Sequence, residues 1–193
     1  PDTHIRQTGF FAEATPSLSP VTRLKIGGRY DYVTAESDGA NTVYGSASPN
    51  SLYLAHYGKT AEDVSEHNLG GLLRLEHDLA ANTTFFAGLS RSVRTADATE
   101  RYLASNSMTA SMQRVGNPDI APEKHHQLDM GVSHQDSNWT GSLSSYIDYV
   151  TDFIMQDTAK GQSGILVSDG STIYRNIDAH LMGLEAEGKY ELH

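Results

Sequence analysis

Long stretches of the sequence alternate apolar and polar residues with a period of two, and this pattern restricts the chain to strands with two different faces. In the stretch TTFFAGLSRSV, one face carries Phe85, Ala87, Leu89 and Val93. The other face carries Thr84, Gly88, Ser90, Ser92 and Arg94. Arg91 is the exception on the apolar face. Because helical periodicity is nearly absent, we predict an all-β fold.

The same alternation predicts seven strands, most of them longer than the roughly five to six residues that are usual in soluble domains. They lie near Gln7–Leu18, Thr22–Thr34, Asn68–Asp78, Thr83–Arg94, His126–Gln135, Trp139–Ile154 and Ile173–Leu192. Each has one apolar and one polar face, so the sheet is expected to have one apolar side and one side that faces water.

The connections between these strands alternate in length. The stretches SLSPV, LAANT and QDSNW are short and rich in turn-forming residues. The other links, Ala35–His67, Thr95–His125 and Met155–Thr172, are long and polar. Long strands with short turns at one end and long loops at the other are typical of an outer-membrane β-barrel, whose polar face lines the lumen. A soluble all-β binding or adhesion module is the alternative.

Composition narrows the possible functions. Lys plus Arg is 14 against 24 for Asp plus Glu, and the resulting net charge of -10 argues against a nucleic-acid partner and mildly favours cations. The absence of Cys excludes disulfides and thiolate metal sites. No apolar run approaches the roughly 20 residues of a transmembrane helix. The chain opens at Pro1 without a signal peptide, so we expect a mature chain or an excised piece.

Catalytic motifs are missing from the sequence. It contains no G-x-S-x-G, no H-E-x-x-H and no phosphate-binding glycine loop. We therefore expect neither an enzyme nor a resident cofactor.

Four motifs carry a family resemblance. The stretch RVGNPDIAPEKHHQLDMG resembles the NP-x-L-x-PE element of TonB-dependent outer-membrane receptors, with Ile120 where Leu is usual and Asp129 where Glu is usual. The matching positions are Asn117, Pro118, Pro122, Glu123 and Gly131. The stretches GGRYDY, SSYIDYVTDFI and MGLEAEGKY resemble further strands of this family, and the four elements occur in the family's order.

VRTADATERYLAS, followed by the NP element, is most similar to the copper-receptor branch. The resemblance implies copper import across the outer membrane of a Gram-negative bacterium through a 22-stranded barrel. It also implies an N-terminal plug domain, energy relayed by TonB through the missing N-terminal part, and contact with outer-membrane lipid. Residues 1–193 are then a barrel fragment without the plug, an antiparallel meander that forms an open curved sheet. A siderophore receptor barrel is the alternative within transport.

Met and His residues are the candidate copper ligands, because thioether suits Cu(I) and imidazole suits either oxidation state. Met108 and Met112, in SNSMTASMQ, are the predicted metal-binding residues, on a loop over the pore mouth. His125 and His126 are adjacent on a strand and so point to opposite faces. The remaining pair, His180–Met182, falls on the lipid face unless a bulge reverses it.

The polar face is expected to line the lumen and to contact the plug or water. Its predicted charged residues are Arg29, Asp31, Arg74, Glu76, Arg94, Asp129, Glu185 and Glu187. In the strand after the NP element, Leu128, Met130 and Val132 are predicted to face outward, and Gln127, Asp129 and Ser133 to face the concave side.

Overall fold

The computed structural model describes residues 2–191, and strands dominate it. The strands are β1 Asp2–Ala14, β2 Ser17–Ser19, β3 Thr22–Asp38, β4 Val64–Ala80, β5 Thr83–Arg94, β6 Ala104–Ser105, β7 Arg114–Val115, β8 Glu123–Gln135, β9 Trp139–Thr158 and β10 Thr172–Tyr190. Two helices, α1 Pro49–Tyr57 and α2 Ala98–Tyr102, and a 3-10 turn at Ala110–Met112 lie in the long connections. None of the described helices is both long and apolar enough to cross a membrane.

The seven long strands form one antiparallel meander in the order β1-β3-β4-β5-β8-β9-β10. The three short turns share one end of the sheet, here called the lower end, and the long connections lie at the other, upper end. Within residues 2–191 no ladder joins β1 to β10, so the sheet is open. The predicted all-β meander, with its turns at one end, is confirmed.

The predicted strand boundaries needed two corrections. The strand predicted at Gln7–Leu18 is wrong at its C-terminal end, because pairing with β3 stops at Ala14 and resumes after Pro16 as the short β2. Proline lacks the N–H that a continuous ladder needs. Several strands also extend further at the upper end than alternation alone predicted, and the predicted end at Leu192 lies outside the described residues.

The two faces of the sheet differ as predicted. On the polar side, here called the inner face, Arg74 pairs with Glu76 and lies 3.6 Å (Nη1 to Oδ2) from Asp129 on β8. The other predicted inner residues follow the same alternation, and Glu185 and Glu187 lie opposite serines of β9. The apolar side, here called the outer face, carries Leu128, Met130 and Val132.

Two aromatic residues of the inner face, Phe86 and Tyr146, each cover a glycine of a neighbouring strand at positions where alternation predicts polar groups. Phe86 faces Gly131 on the next strand, and a Cβ at Gly131 would stand 2.6 Å from its ring. The Arg74 guanidinium lies 3.8 Å from the same ring centroid, at cation–π distance. Tyr146 covers Gly183 in the same way, and its ring would collide with a Cβ at that position. Both glycines are required because the ring occupies the space of a side chain.

Aromatic residues border the outer apolar band at two levels. Trp139 and Tyr190 pair at the lower end, and Tyr149 lies about midway along the same strand, β9. The ten residue steps from Trp139 to Tyr149 span about 25 Å along the axis of a barrel whose strands tilt by about 40°. That height equals the apolar band of an outer-membrane barrel.

Candidate functional site: a folded cap at the upper end

The three long connections, residues 39–63, 95–122 and 159–171, fold together into one cap. The hydrophobic cluster inside it contains Leu52, Tyr53, Tyr57, Val115, Ala159, Ile165 and Ile173. The parallel pairing of β7 with the start of β10 and the pairing of β6 with β7 attach the cap to the sheet. The connections are therefore ordered parts of the protein with a core of their own.

Local signals in the sequence explain the two cap helices. Ser48 caps α1 and exchanges hydrogen bonds with Ser51, and Gly58 ends the helix in the left-handed conformation (φ 69°). Asp97 caps α2 and forms the same reciprocal box with Glu100. These short motifs form helices although neither segment shows an extended helical periodicity.

Buried tyrosines join the helices to the rest of the cap. Tyr53 donates its hydroxyl to the carbonyl of Tyr102 at 2.6 Å, and Tyr57 donates to Val115 at 2.7 Å. Burial raises the pKa of both hydroxyls far above the ordinary tyrosine value. Both groups therefore remain neutral hydrogen-bond donors at any physiological pH.

A buried histidine attaches the third connection to α1. Nδ1 of His56 donates to the Leu52 carbonyl at 2.8 Å, and Nε2 lies 3.0 Å from the Ser171 hydroxyl. Asp169 lies 3.7 Å from Nε2. Burial opposes ionisation of Asp169, but hydrogen bonds from Ser171 and the nearby His56 lower the pKa of its carboxyl overall. Ser171 is fully buried and Nδ1 of His56 donates to a carbonyl, so these residues lack the geometry of a catalytic triad. His56, Asp169 and Ser171 instead attach the third connection to α1, and they are here called the latch.

A buried ion pair connects the cap to the inner face. Arg101 of α2 is 1% exposed and donates to Glu66 of β4. The second oxygen of Glu66 accepts from Thr95 at 2.9 Å, and Asn68 lies within reach of both. The pair fixes α2 against the sheet.

His125 and His126 point to opposite faces, as predicted, and form no joint metal site. On the inner face, Nδ1 of His125 lies 2.6 Å from Asp148 and Nε2 lies 3.0 Å from Glu123. Arg94 then joins Glu123 to Glu100 of α2. His126 lies on the exposed outer face opposite Tyr149. His125 is thus part of an inner-face network that ends at the cap.

Met108 and Met112 lie on an exposed segment of the cap, between β6 and β7. Met108 is fully exposed and Met112 is 69% exposed. The Gln113 side chain donates to Asn106 and to the Ser107 carbonyl, and Asn106 donates to Ser46 of the first connection. The segment is braced while both thioethers remain open to solvent. Their role as copper ligands stays a prediction.

Other candidate ligands do not converge with these methionines. His180 and Met182 lie on the outer face, and the bulge between Ile177 and Ala179 lies above them without reversing their orientation. Throughout residues 2–191 there is no group of three or more His, Asp or Glu residues that could hold a metal ion.

Sequence reasoning missed His56, Glu66 and Arg101. The capping box Asp97–Glu100 could have predicted α2, and the Ser48–Pro49 start could have predicted α1. No pattern in the sequence predicts the contact of His56 with Ser171, because 115 residues separate them.

Comparisons with known proteins agree with this architecture. The family profile described as "TonB dependent receptor-like, beta-barrel" matches residues 1–193. No curated protein sequence matches the chain significantly.

Among solved structures, the copper transporter OprC is 28% identical over 100% of this chain and 27% of its own, with a TM-score of 0.72. The Serratia marcescens hemophore receptor HasR is 17% identical over 97% of this chain and 32% of its own, with a TM-score of 0.74. The FrpB iron transporter from Neisseria meningitidis is 15% identical over 99% of this chain and 24% of its own, with a TM-score of 0.60.

The chain thus spans 24% to 32% of the length of these structures. The family match over residues 1–193 agrees with the open meander, the polar inner face and the apolar band of the outer face. The chain therefore belongs to the TonB-dependent receptor β-barrel family, whose members are transport receptors of the Gram-negative outer membrane and not enzymes.

Proposed function

We propose that this chain is part of the barrel wall and extracellular cap of a receptor that imports copper across the outer membrane. The observation that carries the proposal is the 28% identity to the copper transporter OprC along the whole chain, against 17% and 15% for the hemophore and iron receptors. The two exposed thioethers of the cap support it, because soft ligands select Cu(I).

In this proposal Met108 and Met112 capture copper transiently and pass it on to a main site outside this chain. Two thioethers alone make a weak site, which suits capture followed by release. The net charge of -10 attracts cations to the receptor and adds to the rate of encounter.

The faces of the sheet have separate roles in the proposal. The outer band between Trp139 and Tyr149 contacts membrane lipid. Its height matches the apolar core of the membrane, and its aromatic borders match the two membrane interfaces. The inner face holds the plug domain of the same receptor, and TonB acts through the receptor's N-terminal part. Exposed Phe11 and the inner-facing Leu72 give the plug apolar contacts beside the charged network.

The test compares copper uptake at low copper by cells that carry the full-length receptor or its M108L/M112L variant. Leucine keeps the volume and removes the thioether. We expect slower uptake without complete loss, because the main site lies elsewhere. The matched control is M130L, which changes an exposed methionine on the outer face and leaves uptake unchanged.

Unchanged copper uptake in M108L/M112L would mean that both methionines are ordinary loop residues without a role in uptake. Complete loss of copper uptake would place the main copper site on the cap. Growth of a receptor-deletion strain restored by a ferric siderophore, and not by copper, would replace the copper proposal with the siderophore alternative.

A further inference from the structure

We propose that Arg94 is a positioning residue for copper capture, which holds the two sides of the segment with Met108 and Met112 in one arrangement. Arg94 does not bind the metal and acts through helix α2. The inference rests on the proposed capture of copper by these two methionines. It also gives the NP element of the sequence, residues 117–123, a role in uptake.

The two methionines lie on an arm of the cap, residues 104–115, here called the methionine arm. It leaves the end of α2 as β6, turns, and returns as β7, which pairs with β6. The β7 side is attached to the sheet by its pairing with β10, whereas the β6 side continues directly from α2. Two thioethers hold one ion only when they converge, so the position of α2 affects how Met108 meets Met112.

Arg94 ties α2 to the barrel wall. Its Nε and Nη2 donate to the two oxygens of Glu123 of β8, at 2.9 and 3.1 Å. Its Nη1 donates to both oxygens of Glu100 of α2, at 3.1 and 2.9 Å. A planar guanidinium that binds carboxylates in this way fixes direction as well as distance. Arg94 therefore determines where α2 lies relative to β8.

Glu123 is a firm anchor for Arg94, because its carboxylate is buried and has further partners. The residue is 4% exposed. Its Oε2 also accepts the N–H of Ile154 at 2.9 Å, and Nε2 of His125 lies 3.0 Å from its Oε1. With Glu123 fixed by two neighbouring strands, the free edge of the Arg94 guanidinium points at α2.

Main-chain hydrogen bonds close the base of the methionine arm against α2. The N–H of Gly116 donates to the Leu103 carbonyl at 2.7 Å, and the N–H of Asn117 donates to the Glu100 carbonyl at 2.9 Å. A Cβ at Gly116 would lie 2.7 Å from the Leu103 nitrogen and 2.9 Å from the Arg101 carbonyl. These are backbone atoms, so an alanine at this position opens the base without changing any charge.

The sign of the effect on copper uptake separates positioning from electrostatics. Arg94 places a positive charge beside the cap of a chain whose net charge of -10 attracts cations. On charge alone, removing Arg94 strengthens the attraction and lowers the KM of uptake. Positioning predicts the opposite, because a loosened arm has to be ordered again when copper binds. A higher KM therefore identifies positioning.

The experiment measures copper uptake against copper concentration in cells that carry the full-length receptor. We expect R94Q to raise the KM about fivefold and to keep the maximal rate, since saturating copper compensates for weak capture. R94K keeps the charge but loses the planar fork, so its KM lies between those of the wild type and R94Q. The matched control is R175Q, whose guanidinium joins β10 to Asp157 of β9 at 2.7 Å. It does not raise the KM.

A second variant and a copper-free measurement support this experiment. G116A opens the base of the arm without a change of charge, so it also raises the KM, and it carries the test if R94Q fails to assemble. In the purified full-length receptor without copper, the amide of Asn117 exchanges its hydrogen faster in R94Q and G116A than in the wild type. R175Q keeps the wild-type exchange rate.

Combining R94Q with M108L/M112L shows whether Arg94 acts through the thioethers. We expect no further rise in KM over M108L/M112L, because an arm without thioethers has no ligands left to position. A wild-type or lower KM in both R94Q and G116A would overturn the inference, whether or not the amide exchange is faster. So would an equal rise in KM with and without the thioethers.

The same measurements separate this inference from the proposed function. If M108L/M112L takes up copper as the wild type does, the proposed capture fails and the inference fails with it. If M108L/M112L slows uptake but R94Q and G116A keep the wild-type KM, only the positioning role of Arg94 is wrong.

Discussion

Arg101 and Glu66 form a buried ion pair that joins α2 of the cap to the inner face of β4. Removing one partner leaves a buried charge uncompensated. We expect Glu66→Gln to destabilise the attachment of α2 by about 3–5 kcal/mol. Faster amide hydrogen exchange at residues 98–102 would report the loss.

The exposed pair Lys25–Glu13 provides the control for this prediction. Its two side chains are 40% and 43% exposed, so Lys25→Gln should cost only about 0–1 kcal/mol. Equal exchange rates in both variants would mean that the buried pair does not hold α2.

The latch at His56 predicts a transition in acid. Because the pKa of Asp169 is lowered in the folded protein, its stabilising contribution is complete above the unfolded value of about 3.9 and is lost as pH falls through the lower folded value. A spin label at S163C of the full-length receptor should become mobile in that window, and residues 1–193 contain no other cysteine that would take the label.

Asp169→Asn removes the titrating group, so the labelled variant should be mobile already at neutral pH and lose the acid transition. Persistence of the same transition in Asp169→Asn would assign it to another group.

The close approach of Phe86 to Gly131 predicts a size limit on the inner face. A Cβ at Gly131 would also lie 2.6 Å from the Leu143 carbonyl oxygen, so backbone must move. We expect Gly131→Ala to cost about 1–3 kcal/mol, measured by the denaturant midpoint of the folded receptor. Gly188→Ala, whose Cβ would meet nothing within 4 Å, should fold normally. Equal midpoints would contradict the close packing.

The open edges predict how residues 1–193 behave when expressed alone. β1 has 13 residues and β10 has 19, of which only Thr172 and Ile173 pair with β7 on the outer side of the strand, and no ladder between β1 and β10 closes the sheet in the described chain. Unpaired strand edges recruit other chains, so we expect aggregation in aqueous buffer. Size-exclusion chromatography checks this, and a monodisperse monomer without detergent would contradict the open-sheet interpretation.

The strands could be predicted because alternation determines both which residues pair and which face they occupy. Asp129 and Leu128 illustrate this, since a shift of one residue would exchange their positions. The inner-face position of Phe86 could not be predicted from alternation, because it depends on Gly131, a residue of another strand.

The cap could not be predicted in the same way. Its core joins Leu52, Val115 and Ile173, which come from distant parts of the sequence and follow no period. The capping residues of the two helices can be recognised in the sequence, but each specifies only the first turn of its helix. Met108 and Met112 were chosen for their ligand chemistry, and the structure adds that solvent reaches both.

The shared core of the cap also constrains how its sequence can vary. Surface loops normally accept substitutions independently of one another, but here Leu52, Val115 and Ile165, one from each connection, occupy one closed cluster. A larger residue in one connection has to be matched by a smaller one in another, so the effects of such substitutions are not additive. The three connections are therefore expected to diversify together, as one epistatic unit.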